Sequence, residues 1–417
     1  MDLTKDLKGK PHFTEQAWTT PLNYSDELRG ELSVAEDLYV HDVTLRDGEQ
    51  TPGVAFTIDE KVEVAKSLDR LGVQVIEAGL PMIAKDAEAM RLMKPELKQA
   101  TLACLVRANE GDIDDAVEAE VELVVVEHSI NPVAREAAYG IDEKGLIEKN
   151  VSACAYAAEK GLRVNWMGWD ALRHDIGYVE RVFRGVVENA PIERVTIADT
   201  FGMSHPLAAM QFFRKFREWF PDKKLEFHVH NDYGMAVALA LCAVTAGANS
   251  VHTAVNGMGE RAGNIALEEF ALVTQTAMGL DFGLDLSKLV PLGRLVEHIS
   301  RFPMAGNKPV MGRNLFNVDS GLIIHILSKA EEAGFPATVM MPYLPELIGR
   351  NDLRYVPGKG AGGAAMSVFL EKAGISATDE QKKAILARLK AYSTLVKAFL
   401  SDEEFEALAR EVIGGGR

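Results

Sequence analysis

The fold of this 417-residue chain is set by residues 225–255, which read LEFHVHNDYGMAVALALCAVTAGANSVHTAV. The stretch starts with an apolar run of strand length (225–230), continues as a helical pattern that ends in a glycine (237–248), and finishes with a second strand (250–255). Glycine often ends a helix because it adopts left-handed backbone angles without steric cost. Two strands joined by a helix predict a parallel β–α–β unit.

The same alternation extends over the larger part of the chain. Six more runs, rich in Val and Ile, have the continuous hydrophobicity of strands that are buried on both faces. Eight β–α units over residues 38–289 predict an α/β protein with a closed (β/α)8 TIM barrel. An open doubly wound sheet would need a Gly-rich phosphate turn after its first strand, and the sequence has none there. The six further strands are predicted at 38–45, 73–79, 101–106, 121–128, 162–168 and 194–199.

The alternation stops near residue 285, and the later segments are mostly helical. We therefore predict an N-terminal extension (1–37), a catalytic barrel (38–289) and a small, mostly helical accessory region (290–417). A Gly-rich turn at 357–365 divides that last region.

Composition restricts the possible partners and compartment. The net charge of −16 argues against a nucleic-acid partner, which would require a basic face. The first residues contain no apolar run, so we expect neither a signal peptide nor a membrane segment. Three widely spaced cysteines in apolar segments are typical of a reducing compartment. We expect a cytoplasmic protein.

Polar residues follow several of the predicted strands, and two histidines stand out. His228 and His230 are two residues apart, so their side chains share one face of a strand. Asp47 follows the first strand and Asn264 the last, and these strands are neighbours in a closed barrel. Four convergent ligands predict a site for Zn, Mn or Mg. Alternatively, the histidines are simply hydrogen-bonded polar residues of the sheet.

Four motifs give the chain a specific resemblance over residues 38–275, namely DVTLRDGEQTPG (42–53), IEAGLP (76–81), HVHND (228–232) and NGMGERAGNIALEE (256–269). With these motifs the chain resembles the acyl-CoA condensing enzymes, namely isopropylmalate, homocitrate and citramalate synthases, which share their barrel with hydroxymethylglutaryl-CoA lyase. The resemblance implies an acyltransferase that uses a divalent metal to join acetyl-CoA and a 2-oxo acid. The product would be a 2-hydroxy-2-carboxymethyl acid plus CoA, and the enzyme a homodimer.

The resemblance also implies roles for individual residues. Asp47, His228 and His230 would bind the metal, with Asn264 on it or close to it. Arg46 would stabilise the oxyanion, and Thr200 would bind the oxo-acid carboxylate. Further residues of the barrel mouth and the accessory region are implied to act in catalysis (Glu260, Tyr343) and in substrate binding (Gln50, Arg261).

The acceptor side departs from the family pattern. Trp169 stands where the synthases carry a glutamate, and Ile323 aligns with a family histidine. We therefore expect an atypical 2-oxo acid that carries a second anionic group, such as a carboxylate or a phosphonate. The general base is left unassigned. Residues predicted to contact this acceptor are Trp169, Arg107, Arg173 and His174.

Two other interpretations remain open. The barrel could run the reverse reaction as a lyase or aldolase, although its loop after strand eight carries GERAGN rather than the cysteine-containing loop of the lyase. It could also have lost catalysis and serve as a binding subunit. The C-terminal region is too short for an additional feedback-regulatory domain, so we expect no such domain.

Overall fold

The structure is a computed structural model that describes residues 6–415. Within that range the chain forms two compact units, one made of residues 24–304 and the other of residues 6–23 with 305–415.

The larger unit contains the predicted TIM barrel. Eight parallel strands pair in chain order, and the first (Tyr39–Asp42) closes the sheet against the eighth (Ser250–Ala254), with Tyr39 opposite Ser250. A short ninth strand, Ile265–Ala266, pairs in parallel with the end of the eighth. The barrel strands are β1 (Tyr39–Asp42), β2 (Val75–Glu77), β3 (Thr101–Arg107), β4 (Leu123–Ser129), β5 (Arg163–Trp169), β6 (Arg194–Asp199), β7 (Lys224–Val229) and β8 (Ser250–Ala254).

Helices connect the strands, and their ends follow local sequence rules. The helix Ile58–Leu71 begins with a capping box of Thr57 and Glu60, and it ends at Gly72 with a φ of 104°. The α-helices of this unit are Asp26–Gly30, Ile58–Leu71, Ala84–Met93, Glu110–Glu118, Pro132–Ala134, Glu143–Glu159, Ile176–Val187, Pro206–Trp219, Ala236–Thr245, Leu267–Val273 and Leu289–Ser300, with π-helical turns at Arg135–Tyr139 and Thr274–Met278 and 3-10 turns at Pro21–Tyr24, Gly48–Gln50, Val255–Gly257 and Leu286–Lys288.

The barrel interior is built in layers because alternate residues of each strand point inward. One apolar layer consists of Tyr39, Val75, Ala103 and Leu123. Another, two residues further along β3 and β4, consists of Leu105, Val125, Met167 and Ala198. The next inward position of each strand after this second layer faces the mouth of the barrel.

The unit boundaries differ from those predicted. Residues 24–37 belong to the barrel unit, where Tyr24 Oη donates to the Thr276 carbonyl at 2.8 Å. The helix Leu289–Ser300 also belongs to it, since Asn256 Nδ2 donates to the Gly293 carbonyl at 2.9 Å. Loss of the strand–helix alternation in the sequence does not reveal such packing.

The smaller unit is mostly helical, as predicted. Its core contains Ile324, Phe369, Leu389 and Phe405. It also holds a short parallel strand pair, Asn317–Val318 with Arg354–Tyr355, which the sequence pattern did not predict. Its helices are Gly321–Glu332, Gly363–Lys372, Asp379–Val396 and Asp402–Gly414, with 3-10 turns at Ala337–Val339 and Pro345–Ile348. None of the helices in residues 6–415 combines the length and hydrophobicity that crossing a membrane requires.

Candidate active site

The predicted metal ligands converge at the C-terminal end of the barrel strands. Asp47 lies in the turn after β1, and its Oδ2 atom is 3.4 Å from His228 Nε2 and 3.6 Å from His230 Nε2. The two Nε2 atoms are 3.3 Å apart, and all three side chains are buried. Each residue thus offers one ligand atom, and these atoms lie within 4.8 Å of one another.

The protonation of the two histidines suits a metal. Burial lowers the pKa of His228 well below its ordinary value, and the neighbouring His230 lowers it further. Burial also lowers the pKa of His230. A neutral imidazole keeps a lone pair free, and this is the form that coordinates a metal.

Asn264 lies beside this group. Its Nδ2 atom donates to the Met258 carbonyl at 3.0 Å, whereas its Oδ1 atom is buried and has no hydrogen-bond partner within residues 6–415. Asp47 Oδ1 is likewise buried and unpartnered in that part of the chain. A Cβ placed on Gly259, where φ is 149°, would lie 2.2 Å from Asn264 Nδ2 and 3.1 Å from Asp47 Oδ1. Orphaned oxygens beside two neutral imidazoles fit a divalent cation, since buried acceptors otherwise find a donor.

Arg46 places a permanent positive charge next to the candidate ligands. Its Nη1 atom is 2.9 Å from Asp47 Oδ2, and its Nε atom donates to Glu77. Burial alone would lower the pKa of Arg46, but the carboxylates of Glu77 and Asp47 keep it above its ordinary value. The third nitrogen, Nη2, is buried and has no hydrogen-bond partner among the residues that the structure describes. The guanidinium therefore still has donor capacity for an anionic oxygen.

A chain of buried polar residues links Arg46 back to His228, and sequence reasoning did not identify it. Glu77 Oε2 is 3.3 Å from His41 Nε2, and His41 Nδ1 is 2.9 Å from Glu226 Oε2. His252 Nε2 is 2.8 Å from the same Glu226 oxygen, and His252 Nδ1 is 3.3 Å from His228 Nδ1. Such contacts fix the orientation and tautomer of a metal-binding imidazole. The sequence feature that could have revealed these residues is a charged or imidazole side chain within a strand that is otherwise apolar.

Glu226 is the centre of this chain of contacts. It is fully buried, and although burial alone would raise its pKa, the positive His41 and the hydrogen bond from His252 hold that pKa well below its ordinary value. Burial by itself would lower the pKa of His41, but the Glu226 and Glu77 carboxylates raise that pKa to about 9. Glu226 also accepts hydrogen bonds from Tyr39, Asn165, Arg194 and Thr196.

The inward positions at the mouth carry polar and aromatic side chains. They come two residues after the apolar layer of Leu105, Val125, Met167 and Ala198, so they point the same way. Among them, the Thr200 hydroxyl is buried and accepts a hydrogen bond from the Asp170 amide at 2.9 Å. Its own hydrogen stays available to an anionic ligand. The four mouth positions are Arg107, Glu127, Trp169 and Thr200.

A cavity of about 430 Å³ opens at the ends of β3, β4 and β5. His128 is buried in its wall, where its ring lies tilted against that of Tyr139 with centroids 4.8 Å apart, and its Nε2 atom has no hydrogen-bond partner in the described part of the chain. The lining includes two cations, Arg107 and Lys149, together with Glu127, His128, Ser129, Tyr139 and Trp169. The cavity therefore combines positive charge with an unsatisfied polar atom.

Two predicted acceptor contacts lie outside this cavity and interact with Asp170. The Arg173 guanidinium makes a bidentate pair with that carboxylate, and its Cζ lies 4.0 Å from the centre of the Phe201 ring. His174 Nε2 lies 3.8 Å from Asp170 Oδ2. Since Arg173 already has a buried counter-ion, its charge is not free for a second anionic group.

The remaining predicted contacts are spread around the mouth or lie in the smaller unit. Arg261 pairs with Asp232 at 3.0 Å and donates to the Thr200 carbonyl, so it braces two loops. The side chain of Glu260 is 57% exposed, which places it in solvent. Gln50 is exposed on the turn after Asp47. Tyr343 belongs to the smaller unit, where its ring centroid is 5.9 Å from that of Phe316.

Known proteins are similar to this chain over most of its length. A sequence model of the HMGL-like family matches residues 37–296. The homocitrate synthase AksA of Methanopyrus kandleri is 36% identical over 391 residues, which covers 94% of this chain and 96% of that protein. The (R)-citramalate synthase CimA of Methanocaldococcus jannaschii is 36% identical over 376 residues, which covers 90% of this chain and 74% of that protein.

Solved structures share the fold. The HMG-CoA lyase of Bacillus subtilis superposes with a TM-score of 0.59 at 18% identity, over 66% of this chain and 97% of that one. At this identity the likeness supports the TIM barrel and says nothing about the reaction.

Proposed function

The chain belongs to the HMGL-like family, and on that premise we propose that it condenses acetyl-CoA with a 2-oxo acid in a divalent-metal-dependent Claisen reaction. It is an enzyme of the acyltransferase type. The proposed products are a 2-hydroxy-2-carboxymethyl acid and CoA. The homodimer and the cytoplasmic location stay predictions.

The observation that carries the proposal is the group of Asp47, His228, His230 and Asn264 beside Arg46. Orphaned oxygens and neutral imidazoles would hold the cation. When bound, a divalent cation polarises the keto group of a chelating 2-oxo acid. The Nη2 atom of Arg46, which still has hydrogens to donate, would donate to the negative oxygen that forms as the new carbon–carbon bond is made. This guanidinium is already fixed by two carboxylates, so it needs no reorganisation.

Thr200 supports the binding of the oxo-acid carboxylate. The Asp170 amide fixes the Thr200 oxygen at 2.9 Å, which leaves its hydroxyl hydrogen as a donor toward the mouth. Asp170 is itself held by Asn131 and Arg173. In this proposal Arg173 positions Thr200 through Asp170 and does not bind the substrate directly.

The cavity supports an acceptor that carries a second anionic group, a dicarboxylate or a phosphonate. Lys149 lies on its rim with no carboxylate within ion-pair distance among residues 6–415. Arg107, like Arg173, already has a buried counter-ion, because its Nε and Nη2 atoms each lie 2.7 Å from an oxygen of Asp112. The unpartnered Nε2 of His128 offers a further polar contact. The flat ring of Trp169 forms part of the wall.

The experiment measures CoA release by the purified protein with acetyl-CoA, Mn²⁺ or Mg²⁺, and a panel of 2-oxo acids. The panel pairs simple acids with acids that carry a second carboxylate or a phosphonate, including phosphonopyruvate. We expect release with a doubly anionic acceptor and loss of bound metal in His228→Ala. Absence of release with every acceptor would contradict the proposed reaction. Cleavage of a 3-hydroxyacyl thioester or a 4-hydroxy-2-oxo acid without acetyl-CoA would favour the lyase or aldolase alternative.

A further inference from the structure

The mouth of the barrel contains a carboxylate with no protein partner. The side chain of Glu127 makes no hydrogen bond or ion pair with any residue in the described range 6–415, and it lines the cavity. Neighbouring carboxylates are engaged: Glu77 with Arg46, and Asp170 with Arg173. An unpaired carboxylate in a largely enclosed place is costly unless it meets a ligand or changes its protonation.

Its position follows from the register of β4. Leu123 and Val125 belong to the two apolar layers inside the barrel, and Glu127 is the next inward residue on the same strand. Its neighbour across the pair is Met167 on β5, two residues before Trp169. The carboxylate therefore projects into the mouth, next to the strand whose end carries Trp169.

Glu127 also interacts electrostatically with residues of the candidate metal site. Burial is the main cause that raises the pKa of Glu127 above its ordinary value. The positive charge of Arg46 lowers that pKa, whereas the negative charges of Glu77 and Asp47 raise it further. These interactions place the carboxylate in the same electrostatic environment as Arg46 and Asp47. A raised pKa brings a carboxylate closer to the basicity that a proton acceptor needs near neutral pH.

We propose that Glu127 is the base that removes the methyl proton of acetyl-CoA. The inference rests on the proposed condensation and assigns the step that Trp169, standing in place of the family's glutamate, leaves without a residue. Glu127 takes a proton from the methyl carbon, and the C–H electron pair forms the new bond to the keto carbon of the oxo acid. The protonated Glu127 then gives its proton to the alkoxide oxygen next to Arg46. Hydrolysis of the thioester by water yields the new carboxylate, free CoA and one proton.

The test compares Glu127→Gln and Glu127→Asp with the wild-type enzyme loaded with Mn²⁺. Glutamine keeps the shape and cannot accept the proton, so kcat should fall about 100-fold or more. The KM for the oxo acid and the bound Mn²⁺ should change less than about threefold, because the metal and carboxylate contacts remain. Aspartate keeps the base but shortens its reach, so we expect partial activity. The matched control is Glu122→Gln, just before β4, whose exposed carboxylate pairs with Lys94 at 2.9 Å and should not affect kcat.

Deuterated acetyl-CoA separates a chemical role from a structural one. With three deuterons on the methyl group, the isotope effect on kcat should be larger in Glu127→Asp than in the wild type, because proton transfer becomes slower. A Glu127→Gln enzyme that folds and keeps a tenth of wild-type kcat would overturn the proposal, as would a slow Glu127→Asp enzyme with an unchanged isotope effect. If wild-type enzyme condenses normally in such a case, only the role of Glu127 is lost. If wild-type enzyme accepts no oxo acid, the proposed function itself is refuted.

Discussion

Replacing Glu226 by glutamine should destabilise the barrel strongly, although the two side chains have nearly the same shape. The carboxylate is fully buried and accepts from His41 at 2.9 Å, from His252 at 2.8 Å and from Arg194 at 3.3 Å. Glutamine has one acceptor oxygen and presents an amide to the other donors. The variant therefore leaves a protonated His41 and a buried guanidinium without their shared counter-charge.

The expected cost is that of breaking a buried ion pair by removing one partner, about 3–5 kcal/mol. In a unit of this size each kcal/mol lowers the melting temperature by about 2–4 °C, which gives a drop of about 6–20 °C. A surface carboxylate gives the contrast. Glu63, whose side chain is 50% exposed, pairs with the exposed Arg70 at 3.2 Å. Its replacement by glutamine should cost less than about 1 kcal/mol.

Differential scanning calorimetry and urea unfolding of the metal-free proteins measure both variants. Metal-free protein is required because bound metal would stabilise the folded state by mass action. A Glu226→Gln protein that unfolds within about 1 kcal/mol of wild type would refute the reasoning, since it would mean that the buried charges do not depend on this carboxylate.

Three further outcomes follow from the site. The pKa of His41 rises from 6.5 in the unfolded chain to about 9 in the fold, so its protonation stabilises the protein fully below pH 6.5, and about 3 kcal/mol of that stability is lost as the pH rises through 9. The melting temperature of the metal-free wild type should therefore fall over that pH range more than that of His41→Asn. Equal slopes of melting temperature against pH for the two proteins would contradict this prediction. Gly259→Ala should weaken Mn²⁺ binding about tenfold or more in titration calorimetry, because the new Cβ would lie 2.2 Å from Asn264 Nδ2. The control Gly53→Ala changes a glycine that also has a positive φ, 89°, but has open space around it, and this variant should bind metal like wild type. Thr200→Val should raise the KM for the oxo acid about tenfold, because the variant loses the hydroxyl donor, whereas Thr200→Ser keeps the donor and should keep the wild-type KM. An unchanged KM in the valine variant would exclude a contact between this hydroxyl and the oxo-acid carboxylate.

The local pattern of the sequence was sufficient for the barrel and for part of the site. Continuous apolar runs predicted all eight strands, and the glycine in 237–248 predicted the end of the helix Ala236–Thr245. A spacing of two residues put His228 and His230 on one strand face. Chain order then brought Asp47 and Asn264 to them, because the first and last strands of a closed barrel are neighbours.

Other features depended on distances that no local pattern records. Arg173 looked available for a substrate, yet the tertiary structure pairs it with Asp170. The role of Glu77 was hidden because its partner Arg46 comes from another strand end.

What the sequence determined by itself is therefore the order of strands and helices and the chemical character of each strand end. Both follow from side-chain periodicity, which is a local property. Only the tertiary structure decided which charges are neutralised, as in Glu226, and which side chains have no partner within residues 6–415, as in Glu127. The reason is physical, since the cost of a buried charge depends on every donor and acceptor within a few ångströms, and strands distant in sequence supply most of them.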